Sequence, residues 1–210
     1  MRIALLTLAA AALAVPAAAP ATPAAPAAGC TTAKRPAAKP NGGHQAPKSP
    51  LPAGHIYSAT FVTNCGAFTV QLAAKISPRT VASFVALARS GFFDKTIFHR
   101  IVPGFVIQGG DPTQTGSGGP GYETVDAPPA NTQYVRGVVA MAKTQTEPAG
   151  AAGSQFFVVT GANVGLPPDY GILGRVTSGL KVVLRIGALG NAQEQPTRVV
   201  EILRVRVSVR

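Results

Sequence analysis

Between Phe98 and Asp111 the chain reads FHRIVPGFVIQGGD, and two polar side chains in it stand among apolar neighbours. Arg100 carries a charge it cannot give up in water, and Gln108 offers an amide that both donates and accepts. Around them lie Phe98, Ile101, Phe105, Val106 and Ile107. A fixed cation beside an apolar wall suits a ligand with a greasy body and a polar carbonyl. Two short apolar runs, 97–102 and 105–107, are joined by Pro103-Gly104 and closed by Gly109-Gly110, which predicts two strands meeting at a tight turn. Taken alone, an arginine on a strand is an ordinary solvated residue, because charged side chains are seldom buried unless paired.

Most other catalytic constellations are excluded. His44 and His55 have no companions at ligand spacing, so no metal site is expected. His99 is the only histidine beyond residue 55. Ser154 follows Gly153, but no G-x-S-x-G elbow surrounds it. Alternation along a strand predicts that His99 and Arg100 point to opposite faces, with His99 turned inward as a hydrogen-bonded core residue.

A chain of 210 residues accommodates one ordinary domain and a tail. Lys and Arg number 19 against 8 Asp and Glu. Five of the basic residues, Arg2, Lys34, Arg35, Lys39 and Lys48, precede residue 55 with no acid among them, which leaves 14 against 8 beyond it. The basic residues are scattered and not interleaved with aromatics, so nucleic acid is not an expected partner.

Met1-Arg2, an apolar run over 3–15 and Ala17-Ala18-Ala19 have the pattern of an export signal over residues 1–19. The run is too short to span a bilayer, which takes about 20 residues. Residues 20–54, dominated by Ala, Pro, Gly and Lys, cannot offset their ordering entropy by burial and are expected to form a disordered tether. The folded domain is expected over 55–210. Two readings of Cys30 and Cys65 stand open: a disulfide formed in an oxidising compartment, or a lipid on Cys30. Ala27-Ala28-Gly29-Cys30 resembles the cleavage box of bacterial lipoproteins, in which case the signal would extend to about residue 29. Either way the protein is expected outside the cytoplasm, secreted or anchored at the outer face of the membrane, as a monomer.

Within the domain, 57–63 and the alternating Phe68, Val70 and Leu72 predict a hairpin turning at Cys65-Gly66. Ser77-Pro78 predicts a helix start with Ser77 as cap, Val81, Phe84, Val85 and Ala88 recur at helical spacing, and Gly91 stands at a left-handed end. A long loop over 112–134 is followed by strands at 137–141, 155–160 and 172–176, a second helix over 178–189 capped near Ser178, and a last strand through Leu203, Val205, Val207 and Val209. These elements predict a closed β-barrel or a sandwich, which local pattern alone leaves tied.

Several separated motifs carry a resemblance. After FHR-x-x-x-x-F-x-x-Q-G-G-D come Gly116-Ser117-Gly118-Gly119, Met141-Ala142-Lys143 and Gly153-Ser154-Gln155-Phe156-Phe157. In this order they are similar to the cyclophilin family of peptidyl-prolyl isomerases, in a bacterial exported form, from about Ala59 to Val207. The resemblance implies a mainly β fold, a closed eight-stranded antiparallel barrel capped by two α-helices, with the substrate groove on its outer face. It implies a prolyl isomerase that acts on proline-containing chains without cofactor and assists folding of exported or cell-envelope proteins. The alternative is a catalytically weak module that binds such chains as chaperone or scaffold.

Arg100, Gln108 and Phe105 take the catalytic positions by this resemblance. Phe105, Val106, Phe157 and Leu166 would wall the proline pocket, and Gln155 would support Gln108 or Arg100. Ala142 and Lys143 would lay backbone along the peptide, and Gly116 would open a neighbouring pocket. The chain departs from the family at Val106, often Met, and at Lys143, often Asn, which would add charge to the groove edge. Val164-Gly165-Leu166 lacks the bordering Trp or Phe, and Tyr170 stands where His is usual. Loss of the Trp argues against binding of cyclosporin.

Overall fold

The computed structural model describes residues 29–210; the expected export signal and the first part of the tether lie outside the described residues. In chain order the elements are β1 (Tyr57–Thr63), β2 (Gly66–Leu72), α1 (Pro78–Arg89), β3 (Thr96–Val102), β4 (Val106–Gly109), β5 (Thr124–Val125), β6 (Val138–Met141), β7 (Ala151–Ala152), β8 (Phe156–Val159), β9 (Ile172–Ser178), α2 (Leu180–Gly187) and β10 (Glu201–Val209). Closure occurs in the order β1-β10-β3-β4-β8-β6-β9-β2, with every pair antiparallel, while β5 and β7 make a small ribbon outside. Closing the sheet on itself removes the unpaired edges a sandwich would have to protect, so the barrel expectation holds.

Alternation along each strand sends one row of side chains inward. Phe61 of β1 stands opposite Phe68 of β2, and their rings stack at 4.8 Å. Phe156 of β8 packs at 5.2 Å from Phe61 and Phe98 of β3 at 6.1 Å from Phe156. All four rings are buried. Helix α1 plugs this interior with Phe84, 6.0 Å from Phe61, and with Val81 and Val85.

Both helix starts differ from expectation in chemistry. Ser77 precedes α1, but its hydroxyl makes no cap bond. Asp126, from the long loop, takes the Thr80 amide at 2.7 Å instead. A carboxylate there satisfies an orphan N–H and complements the positive end of the helix. Helix α2 is capped by Gly179 in the left-handed region, φ 77, because β9 continues through Ser178. A Cβ at Gly179 would run into the Ala67 carbonyl, so that corner requires glycine.

The segment expected as a loose tether is laid along the domain from residue 30 onward. Cys30 is disulfide-bonded to Cys65, Thr31 and Asn64 exchange hydrogen bonds, and Leu51 packs on the core. Composition predicted too little apolar area to order this stretch. Its anchors are instead backbone and charge-assisted hydrogen bonds, which a hydrophobicity argument does not register.

Candidate active site

The site is built on the outward row of β3, β4, β6 and β8. Arg100 pairs with Gln108 across β3 and β4, and Gln108 with Phe157 across β4 and β8. Val106 and Phe157 face outward while Ile107, Phe156 and Val158 fill the barrel, so alternate residues of the same strands serve two different apolar layers. The outer layer is open to solvent on one side. It forms a hollow of about 290 Å³ whose floor is Phe105, Val106 and Phe157 and whose far wall is Leu166 and Tyr170. Arg100, Gln108, Ala142 and Lys143 complete its rim. The structure thus brings these candidate residues together around one hollow.

A polar line runs along one side. Arg100 Nη1 donates to Gln108 Oε1 at 3.2 Å, and Gln108 Nε2 donates to Gln155 Oε1 at 3.0 Å. Gln155 Nε2 then donates to the carbonyls of Gly116, at 2.9 Å, and Gly118, at 3.0 Å. Of the two roles expected for Gln155, the geometry gives it the support of Gln108. Gly116 and Gln155 belong to a second, adjoining pocket of about 470 Å³ that shares Gln108, Ala142 and Lys143 with the first.

The loop carrying Gly116 is wound around Asp111. Burial alone would raise this carboxyl, but hydrogen bonds from Thr113, Gly116 and Gly118 pull it below the usual carboxylate range. A Cβ at Gly118 would run into Asp111 Oδ1. Glycine there is a condition of the winding.

Two residues of the site, Glu194 and Tyr134, carry no signal in the sequence. Glu194, in the loop before β10, accepts from Arg100 Nε at 2.6 Å, and this contact holds its carboxyl below the ordinary range. Arg100 has five N–H donors, of which one goes to Glu194 and one to Gln108, leaving three without a partner among the described residues. Nothing local ties Glu194 to Arg100 across so long a separation, so no sequence signal marks it. Tyr134, fully buried, donates through its hydroxyl to the Tyr170 carbonyl at 2.7 Å and accepts the Tyr170 amide at 2.9 Å. It thereby fixes the Tyr170 ring edge-on to Phe157 at 5.4 Å; burial pushes the Tyr134 phenol up.

Lys143 corrects an expectation. Its side chain is only 3% exposed and its ammonium is paired with Asp169 at 2.6 Å, so the groove edge gains no free charge. The ammonium also donates to the carbonyls of Thr144 and Glu147 and sits 5.7 Å over the Tyr170 ring. His99 corrects another. A β-bulge between Phe98 and Arg100 gives β3 an extra residue, so His99 and Arg100 border the same small hollow and do not take opposite faces. Neither ring nitrogen of His99 has a partner among the described residues. Burial holds His99 below the usual histidine range, with Asp111 opposing that shift.

This geometry can hold an apolar ring in the hollow and present guanidinium and amide donors to a carbonyl or nitrogen at its lip. The comparisons agree with it. Residues 58–207 match the family model described as cyclophilin type peptidyl-prolyl cis-trans isomerase/CLD. A peptidyl-prolyl cis-trans isomerase-like 1 protein of Aspergillus oryzae is 38% identical over 152 residues, covering 70% of this chain and 92% of that protein. The peptidyl-prolyl cis-trans isomerase CYP18-2 of Arabidopsis thaliana is 37% identical over 164 residues, covering 76% and 98%. A crystal structure of a cyclophilin type isomerase from Cryptosporidium parvum superposes with a TM-score of 0.67 at 29% identity, covering 73% of this chain and 98% of that one. The same protein in the presence of the dipeptide Ala-Pro gives 0.66 at 30% identity, covering 72% and 98%. With the family model spanning most of the chain, the protein belongs to the cyclophilin-type peptidyl-prolyl cis-trans isomerases.

Proposed function

We propose that this isomerase is of a bacterial exported type, that it acts on proline-containing stretches of exported or cell-envelope proteins, and that Arg100 is its principal catalytic group. The observation that carries the catalytic part is the guanidinium at the lip of an apolar hollow, with three donors unspent. The barrier to rotation about an amide, roughly 18–20 kcal/mol, comes from resonance between the nitrogen lone pair and the carbonyl. Uncatalysed X-Pro exchange takes on the order of 10–100 s. In the twisted state the lone pair is freed and accepts a hydrogen bond far better than in either planar form. A donor aimed at it therefore stabilises the transition state more than the ground state, and both directions accelerate. Removing about 7 kcal/mol from the barrier corresponds to a gain on the order of 10⁵.

Phe105, Val106, Phe157 and Leu166 would seat the proline ring, which keeps water from the bond. Gln108 would hold the substrate backbone while Gln155 holds Gln108. No proton or covalent bond changes hands. A binding module without useful turnover is the second reading. It is favoured by Glu194, which takes part of the Arg100 charge, and by the missing aromatic border at Val164-Gly165-Leu166. Both partners of the ion pair are half-exposed, at 35% and 47%, so solvent screens it and the field of Arg100 at the hollow is only partly offset.

Export is supported by the Cys30–Cys65 bridge, since such bonds persist in oxidising compartments, and by the pattern at residues 1–19. A bridged Cys30 has no thiol left for a lipid, which favours the secreted form. Alkylation of the native protein followed by mass analysis tests this. Both cysteines should be unmodified and the mature chain should begin near residue 20. Free thiols, or an acyl mass on Cys30, would contradict it.

A further inference from the structure

The family match begins at Ser58, yet the chain before it reaches the site. Residues 30–44 cross the back of the loop that carries Gly116 and Gly118. Arg35 donates to Gln114, through Nε to the side-chain oxygen at 2.8 Å and through Nη2 to the backbone oxygen at 3.2 Å. Gln114 returns a bond to the Pro36 carbonyl at 3.0 Å. Gln114 is a non-glycine residue in the left-handed region, φ 63, a conformation that surrounding contacts must hold. Further along, the Lys39 amide bonds the Pro112 carbonyl, the Gly42 amide that of Gly119, and the His44 amide that of Pro120. Asn41 Oδ1 accepts the Gly119 amide at 2.9 Å. At its start this strap is fixed by the disulfide, and in its middle by the Lys39 ammonium on the carbonyls of Gly91 and Phe92 at the end of α1.

The loop so held is the one whose carbonyls orient Gln155, and through it Gln108 and Arg100. Asn41 also stands directly in the wall of the pocket of about 470 Å³ that adjoins the proline hollow. A chain lying in the hollow with its neighbouring residues passing Gln155 would set a side chain against Asn41.

We propose that residues 30–44 are part of the substrate site, and that Asn41 is a specificity-determining residue that selects the side chains flanking the proline on the Gln155 side. The proposal rests on the groove reading above. Its chemistry is that of a neutral polar wall held in place by the amide of Gly119: the Asn41 N–H₂ has no partner among the described residues and can donate to a substrate carbonyl or polar side chain.

The test uses the full chain, with the disulfide intact in every protein except the variant made to open it. Exchange rates and dissociation constants are measured on a peptide panel in one Ala-Ala-Pro-Ala framework, varying each residue flanking the proline among Ala, Leu, Gln, Lys and Glu. Asn41→Ala, at an exposed position, should change KM for the polar variants several-fold, re-rank the panel, and move KM more than kcat. Asn41→Asp keeps the acceptor for Gly119 but turns the free donor into a charge, and should shift preference toward Lys. Cys30→Ser, which frees the start of the strap, should weaken the ranking in the same direction as Asn41→Ala. A panel that keeps its order in all three variants, or falls uniformly, would overturn the proposal. Because ranking is read in dissociation constants as well as rates, a wild type that binds without turnover would count against the catalytic role of Arg100 and leave the strap to be judged on binding.

Discussion

The two faces of β4, β6 and β8 are made of nearly the same residues and do opposite work. Inward, Ile107, Phe156, Val158, Val139 and Met141 join a closed core with Phe61, Phe68 and Phe84. Outward, Val106, Phe157, Val138, Ala140 and Val159 join a smaller cluster with Tyr134, and that cluster is left open as the hollow beside Arg100. Hydrophobicity alone does not distinguish them, since every residue of β6 and β8 is buried. What differs is the boundary. The inner layer meets another apolar layer and a helix, while the outer one meets a line of amides and a guanidinium. An apolar surface becomes a site where polar groups border it without closing it.

The largest effect that can test this contrast is truncation of adjacent residues on opposite faces. Phe156→Ala removes a ring packed against Phe61, Phe93 and Phe98 and should cost about 3–5 kcal/mol of stability, read by urea unfolding. Phe157→Ala empties a wall that already borders open space. It should cost about half as much, because part of the cavity term is absent, and should raise KM for proline peptides about tenfold. Equal stability losses with unchanged KM would mean that the two faces are not functionally distinct.

A smaller effect is expected at the border. Glu194 holds the orientation of Arg100 through its Nε; if that positioning outweighs the charge it offsets, Glu194→Ala should lower kcat about threefold, or roughly 0.7 kcal/mol, in keeping with a half-exposed pair. Glu194 has a depressed carboxyl. The pair's contribution is therefore present above the ordinary carboxylate value near 4.5 and lost as pH falls through the lower folded value. Glu194→Gln keeps an acceptor for Arg100 and should retain most activity at neutral pH while losing this acid limb. An unchanged pH profile would place Glu194 outside the catalytic arrangement.

Much of this was legible in the sequence because it rests on short-range pattern. The Phe98–Asp111 hairpin, the alternation of β1 and β2, and the left-handed Gly91, φ 73, follow from residue type and spacing. The walls of the hollow were placed by motif resemblance. What escaped depends on contacts between distant segments: Asp126 at the start of α1, Glu194 on Arg100, Tyr134 under Tyr170, and the strap over the Gly116 loop. The bulge at His99 escaped for a related reason, since period-two reasoning assumes an unbroken ladder. Lys143 was read as a charge at the groove edge because its partner, Asp169, lies on another loop.

The central claim is that a guanidinium at the edge of the outer apolar face eases the twist of an X-Pro bond. Cis–trans exchange of a proline peptide, measured by magnetisation transfer at equal concentrations of the wild-type chain and Arg100→Ala, addresses it most directly. The account predicts a fall of about 10²–10³-fold, or roughly 3–4 kcal/mol, with peptide affinity and unfolding midpoint nearly unchanged. Equal rates in the two proteins would contradict it.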